Sequence, residues 1–253
     1  RIESEEGQTL VIVDYPSAEE QADENKTLLY TTLPMGIIST PDYVITVCIE
    51  ENLTISDMAE GRVKGLQTAM KTRFLLLTLL RIAQRFLVYL KQIDKISSST
   101  EQRLHLSMRN KELIQLLGLE KSLVYFSTSL KSDEVTLEKI LRGRIIKLYE
   151  EDEDLLEDVL IEVKQAIEMC NIYSGILSGT MDAFASVISN NLNIVMKILT
   201  AITIVMAIPN MVFSFYGMNV TGLPFPVWWV PVVISIVIAG VGAFILVKKD
   251  MFH

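Results

Sequence analysis

The chain has 253 residues, of which 50% are hydrophobic, and a formal net charge of −8; its mean hydropathy of +0.35 is high for a chain that lives wholly in water. The acids crowd in Glu150-Glu151-Asp152-Glu153-Asp154 and continue to Glu157, Asp158 and Glu162, so a basic face for nucleic-acid phosphates is excluded and attraction of cations is favoured. Cys48 and Cys170 stand far apart with no histidine at metal spacing, which excludes a zinc cage and a disulfide framework and leaves two reduced, buried thiols.

The chain opens on Arg1-Ile2-Glu3 without an apolar leader, which reads as a fragment of a longer protein. Residues 8 to 50 read as strands: Thr9 to Val13 is an apolar run, Lys26 to Thr40 mixes β-branched residues with Leu, and Tyr43 to Ile49 is dense in β-formers. The acidic stretch Ser17 to Asn25 is expected to be a solvated turn.

Beyond Asn52 the periodicity becomes helical. Phe74 to Ile96 carries apolar residues at i, i+3 and i+4, and its density of Leu predicts burial on two sides. Ser97-Ser98-Ser99 marks a break, Thr100 to Leu130 forms a second helix with His105 on its surface, and Ser132-Asp133-Glu134 reads as a helix cap. From Val159 a 3.5-residue repeat runs through Val163, Ala166, Cys170, Tyr173, Leu177, Thr180, Phe184, Val187, Asn191 and Ile194, as packed long helices require. A helix unbroken from Leu155 to Phe215 would be roughly 90 Å long, a stalk leading into a membrane.

Two stretches, Ile198 to Phe215 and Trp228 to Val247, hold no charge, and each is long enough to cross a hydrocarbon core as a helix. Lys197 precedes the first and Lys248-Lys249 follow the second, whereas the connecting loop, Val220 to Val227, has no Lys or Arg. The positive-inside rule then places both ends in the cytoplasm of a multi-pass cell-membrane protein, with Trp228 and Trp229 as interface anchors.

Within the first span, Met196, Thr200, Thr203, Ala207, Asn210 and Ser214 recur at alternating steps of four and three and make one face of small or polar side chains, in which the stalk repeat is expected to continue with changed chemistry. Two readings are open. Small residues permit close helix packing, and polar residues at membrane depth face protein or water; the amide of Asn210 weighs toward the second, with a ring of identical helices around a shared axis. Pro209 frees the carbonyl of Val205, which either kinks the helix or faces an ion path.

Tyr216-Gly217-Met218-Asn219 at the outer end of the first span resembles the CorA family of magnesium transporters, whose hallmark is a Gly-Met-Asn tripeptide at that place. The resemblance extends through Asn193-Ile194-Val195-Met196-Lys197-Ile198-Leu199-Thr200 and through Phe74-Leu75-Leu76-Leu77 to Gln92-Ile93-Asp94. It implies a CorA-like α+β cytoplasmic domain followed by a two-helix transmembrane hairpin, with a long stalk helix continuous with the first transmembrane helix. In domains, it implies an α/β part over 1–131, truncated at its N-terminus and helical from about 53; stalk and adjoining helices over 132–197; and a hairpin with the Gly-Met-Asn loop over 198–253.

The resemblance further implies a homopentamer in the lipid bilayer that passes Mg2+, with leakage of Co2+ or Ni2+, driven by the membrane potential. Gly217, Met218 and Asn219 would form the selectivity filter, Asn193 an inner polar ring, and Met196 and Leu199 a hydrophobic constriction. Thr200, Thr203, Ala207, Asn210 and Ser214 would line the wall. Metal contacts fall to Asn219 and to Asp158, the latter matching the stalk member of a regulatory Mg2+ site between subunits. Three departures stand out: the loop carries no acid, a constricting Met falls at Ala207 with Met206 adjacent, and the C-terminal basic cluster is only Lys248 and Lys249.

Two rivals remain. A zinc-transporting branch of the superfamily usually has Ile where this chain has Met218, and a membrane-tethered sensor without a pore has no need of Thr203, Asn210 and Asn219 on one path. No P-loop, Ser-His-Asp set or HExxH suggests an enzyme.

Overall fold

The computed structural model describes residues 1–5, 7–20, 28–107, 110–143, 146, 148–219, 222, 224–225 and 227–248. They divide into two compact units, Arg1–Met181 and Asp182–His253.

The first unit opens with β1 (Ile2–Glu5), β2 (Gln8–Glu20), β3 (Leu28–Ser39) and β4 (Val44–Cys48), an antiparallel sheet in chain order. Alternation puts Val11, Val13 and Tyr15 of β2 and Met35 and Ile37 of β3 on the buried face. Strand β1 lies outside the expected strand set, because its sequence, Ile-Glu-Ser-Glu, has one apolar residue and is held by register alone, from Ile2 opposite Val11 to Glu5 opposite Gln8. Strand β2 runs on through Pro16 to Glu20, so Ser17 to Glu20 are strand rather than turn; residues 21–25 of that stretch lie outside the described residues.

Pro16 is tolerated for a directional reason. Ile12 N–H donates to Arg1 O at 2.7 Å and Asp14 N–H to Asp133 Oδ1 at 3.0 Å, so even-numbered amides of β2 point away from β3. Pro16 continues that series past the last residue paired with β1, where no ladder bond is lost.

Helix α1 (Leu53–Ala59) starts on Asn52, whose side chain accepts from Thr54 N–H at 2.8 Å. Helix α2 (Lys71–Ser107) passes straight through Ser97-Ser98-Ser99. The expected break fails because Ile93, Thr100 and Leu104 keep one buried face across the serines, and burial outweighs their weak local preference. Helix α3 (Asn110–Gly143) likewise runs through Ser132-Asp133-Glu134. Leu130, Asp133, Leu137 and Ile140 share its buried face, and Asp133 serves the open flank of β2 instead of capping a helix. Burial holds the Asp133 carboxyl well above the usual carboxylate range, against the opposing pull of the Asp14 N–H. His105 is exposed in the last turn of α2, as expected.

The core between sheet and helices is built on Tyr30, Phe86 and Phe126, all at 0% exposure, with Phe86 and Phe126 edge to face at 5.0 Å between centroids. Tyr30 N–H donates to Ser122 Oγ at 3.0 Å, pinning β3 to α3.

Helix α4 (Glu150–Tyr216) is continuous for 67 residues, extending the expected stalk to both sides. Glu150, Glu151, Asp152 and Glu153 occupy its first turn, where the helix dipole favours negative charge. In the first unit it stands beside α2 through Arg73–Glu151 at 3.2 Å and beside α3 through Lys164–Glu134 at 4.0 Å. Val159, Val163, Ala166, Cys170 and Leu177 of its repeat are buried. Both cysteines are free, and burial pushes the Cys170 thiol up to about 12, so it stays protonated and inert.

The second unit holds the remainder of α4 and α5 (Trp229–Lys248). Both helices are long and apolar enough to cross a membrane.

Candidate functional site

In the second unit α4 has two unlike faces. Ala201 is fully buried, and Ile194, Ile198, Val205, Ile208 and Val212 are half-buried on the same side. Helix α5 closes on this side: a Cβ built on Gly242 would come within 3.1 Å of Ile208 Cδ1, so the absent side chain is what lets the helices approach. Pro231, Ser235, Ala239 and Gly242 make the covered or half-covered stripe of α5.

The other face is the sequence-predicted one. Asn193, Met196, Thr200, Thr203, Ala207, Asn210, Ser214 and Gly217 follow one another at steps of three and four, and all are exposed, as is Leu199 beside them. Met196, Thr200, Thr203, Ala207, Asn210 and Ser214 each lie two residues after a member of the covered series, about 200° around the helix. This corrects one expectation. The stalk repeat does not pass into the polar stripe: from Ile194 its register leads to Ile198, Ala201, Val205, Ile208 and Val212, the covered face. The polar stripe is a separate pattern on the opposite side of the same helix.

Pro209 is half-buried and adjoins the covered face, with Val205 one turn before it. The carbonyl it frees is that of Val205, a member of the covered series.

Two hydroxyls on the stripe are spoken for as donors. Thr200 Oγ1 donates to Met196 O at 2.7 Å and Thr203 Oγ1 to Leu199 O at 2.8 Å. Each oxygen thus presents lone pairs outward and acts as an acceptor only.

At the end of the stripe α4 stops at Tyr216, with no basic residue in its last turn to offset the exposed carbonyls. Gly217 N–H donates to Phe213 O at 2.9 Å, and a Cβ on Gly217 would sit 3.2 Å from that oxygen. Its backbone is not in the left-handed region, so close approach to a carbonyl, rather than left-handed freedom, is what glycine supplies here. Met218 and Asn219 are exposed, and Tyr216 Oη donates to Pro224 O at 3.2 Å, fastening the following loop to the helix end. Of the uncharged loop, Val220, Thr221, Leu223 and Pro226 lie outside the described residues, as does Lys249; Trp228 and Trp229 are exposed at the start of α5.

Asp158 is exposed on α4 beside exposed Glu157. Among the described residues no three His, Cys, Asp or Glu side chains gather closely enough to hold a metal ion.

The tie between Tyr216 and Pro224 and the closeness at Gly242 were missed from sequence. The first has no spacing signal; the second has one, since Ser235, Ala239 and Gly242 fall four and three apart in an otherwise bulky helix.

An α+β unit is followed by one very long helix and a second helix, both long and apolar enough to cross a membrane, which defines a membrane-protein architecture. A family profile described as CorA-like Mg2+ transporter protein matches residues 1–249. The chain is 28% identical over 233 residues to the cobalt/magnesium transport protein CorA of Methanocaldococcus jannaschii, covering 88% of this chain and 69% of that one. Its fold is similar to the complete structure of the CorA magnesium transporter from Methanocaldococcus jannaschii, with a TM-score of 0.79 at 23% identity over 98% of this chain and 77% of that one. It is also similar to full-length CmaX, with a TM-score of 0.74 at 16% identity over 98% and 76%. The chain belongs to the CorA-like Mg2+ transporter family.

Proposed function

We propose that this chain is one subunit of a homopentameric channel that admits Mg2+ into the cell down the membrane potential, with both chain ends in the cytoplasm. The observation that carries the reading is the exposed stripe from Asn193 to Ser214, opposite the face that α5 covers and ending at Gly217-Met218-Asn219.

The chemistry follows from Mg2+ itself, which dehydrates reluctantly and keeps its waters in most sites. A ring of Asn219 amide oxygens at the converging ends of several α4 helices offers neutral acceptors and partial negative charge to those waters. Inward, the acceptor-only hydroxyls of Thr200 and Thr203, with Asn210 and Ser214, hand the hydrated ion along without a carboxylate to trap it. Ala207 leaves width where a larger side chain would narrow the path. Met196 and Leu199 then form the apolar constriction and Asn193 the inner polar ring. Two charges falling through the potential release about 4.6 kcal/mol per 100 mV, enough to drive influx without an energy-coupling enzyme.

The domain roles follow the same reading: residues 1–131 as cytoplasmic part, 132–197 as stalk, and 198–253 as membrane hairpin. Regulation by intracellular Mg2+ at Asp158 requires ligands from a neighbouring subunit, since no group of three acidic, His or Cys side chains gathers there among the described residues.

The test is Mg2+ uptake by liposomes carrying the purified protein. The wild type takes up Mg2+, and Asn219→Ala lowers the rate by about tenfold or more. Unchanged flux in Asn219→Ala removes the filter assignment, a Zn2+ preference in the wild type favours the zinc branch, and no flux at all favours the tether. Mass measurement in detergent should give five copies.

A further inference from the structure

Helices α1 and α2 border an open cavity of about 250 Å3 lined by Thr54, Asp57, Arg81, Gln84, Arg85 and Val88. This is smaller than the ~300–1,000 Å3 typical of drug-sized ligands, so it suits a ligand of few heavy atoms.

Its polar lining is mostly hydrogen-bond donors. Arg81, Gln84 and Arg85 lie one helical turn apart on α2, so two guanidinium groups share a face. Arg85 is held by Asp57 Oδ2 at 2.7 Å, and the other carboxylate oxygen of Asp57 accepts from Arg62 at 3.0 Å. Both oxygens of the only acid in the lining are therefore engaged. Arg81 has no carboxylate within ion-pair distance among the described residues; its NH1 donates to Gln84 Oε1 at 3.3 Å. That contact uses the acceptor of Gln84 and leaves its amide hydrogens available.

What is missing from such a lining is an acceptor with several oxygens and negative charge. We propose that this cavity binds a phosphate group, free or as a small monoester, through the Arg81 and Arg85 forks and the Gln84 amide, with Val88 and the Thr54 methyl beside the ester carbon. Fork geometry matches phosphate better than a point charge does. The chain's net charge of −8 repels anions at long range, so binding requires a local site of this kind.

The test is calorimetric titration of the full chain in detergent with inorganic phosphate and, separately, with glycerol 3-phosphate. The expected result is one site per chain, saturating at millimolar ligand or below and weakened by salt. Arg81→Ala weakens binding by about tenfold, and Arg81→Lys recovers part of the loss, because charge returns without the fork. Gln84→Glu sets a carboxylate in the lining and abolishes binding; it is the second variant should Arg81→Ala fail to fold by circular dichroism. Tighter binding of glycerol 3-phosphate than of phosphate identifies a monoester as the ligand, and the reverse order identifies free phosphate. Absence of binding at millimolar concentration, or binding unchanged in both Arg81→Ala and Gln84→Glu, overturns the proposal.

Discussion

The two units of this chain solve the burial of apolar side chains in opposite ways. In the first, Tyr30, Leu76, Phe86 and Phe126 are inaccessible to solvent, and the aromatic rings lock sheet to helices. In the second, Met211, Ile236 and Phe244 stand 74%, 67% and 68% exposed. The first unit carries its own core, whereas the second leaves its largest apolar side chains to be covered by something other than itself, lipid or further copies. Against that apolar background, an exposed stripe of Thr, Asn and Ser is costly toward lipid and cheap toward water. The contrast is what gives the stripe functional meaning.

The sharpest way to break this comparison is to make the two faces of α4 alike. Asn210→Leu extends the apolar background across the stripe and should lower Mg2+ flux by about tenfold or more, while Val212→Leu on the covered face should change it by less than about threefold. Equal effects would erase the distinction. In the first unit, Phe86→Ala empties a fully buried aromatic site and should cost about 3–5 kcal/mol, read as a lowered thermal midpoint of the first unit, with the helical signal of the hairpin retained.

A smaller effect is expected where α5 meets α4. Gly242→Leu drives a side chain into Ile208 and should destabilise the hairpin by about 1–3 kcal/mol, whereas Gly240→Leu, where a Cβ meets nothing, should be nearly neutral. Comparative unfolding in detergent separates them.

The smallest effect concerns pH. Asp133 has a raised native value because of burial, so the native state holds its proton more tightly than the unfolded chain does. Its contribution to stability is greatest at low pH and declines as pH rises from the ordinary carboxylate value through the raised one, then levels. Asp133→Asn keeps an acceptor for Asp14 N–H and removes the decline, so its thermal midpoint should exceed that of the wild type at neutral pH and converge with it in acid.

Much of this organisation was legible in the sequence where one signal dominated. The second uncharged run marked α5 to within a residue, the first ended one residue short of the end of α4, and alternation marked the central strands. Local signals misled where burial overrode them: the triple serine of α2 and Ser132-Asp133-Glu134 of α3 both sit on helices whose buried faces continue unbroken. Strand β1 was invisible because pairing, not pattern, makes it a strand. The stripe from Met196 to Ser214 could be read directly, but its relation to the stalk repeat could not. Both patterns step by three and four, and a shift of two residues, which reverses the face, is easily passed over in a linear reading.

The central claim is that this stripe, and not the face joined to α5, borders the path of the ion. Single cysteines placed at Thr203, Asn210 and Ser214, and as controls at Ile198, Val205 and Val212, can be treated with a charged thiol reagent while Mg2+ uptake by liposomes is recorded, with Cys48 and Cys170 replaced by serine. The account predicts that modification stops uptake at the first three positions and leaves it unchanged at the controls; block at Val205 and Val212 with free passage at Asn210 and Ser214 would contradict it.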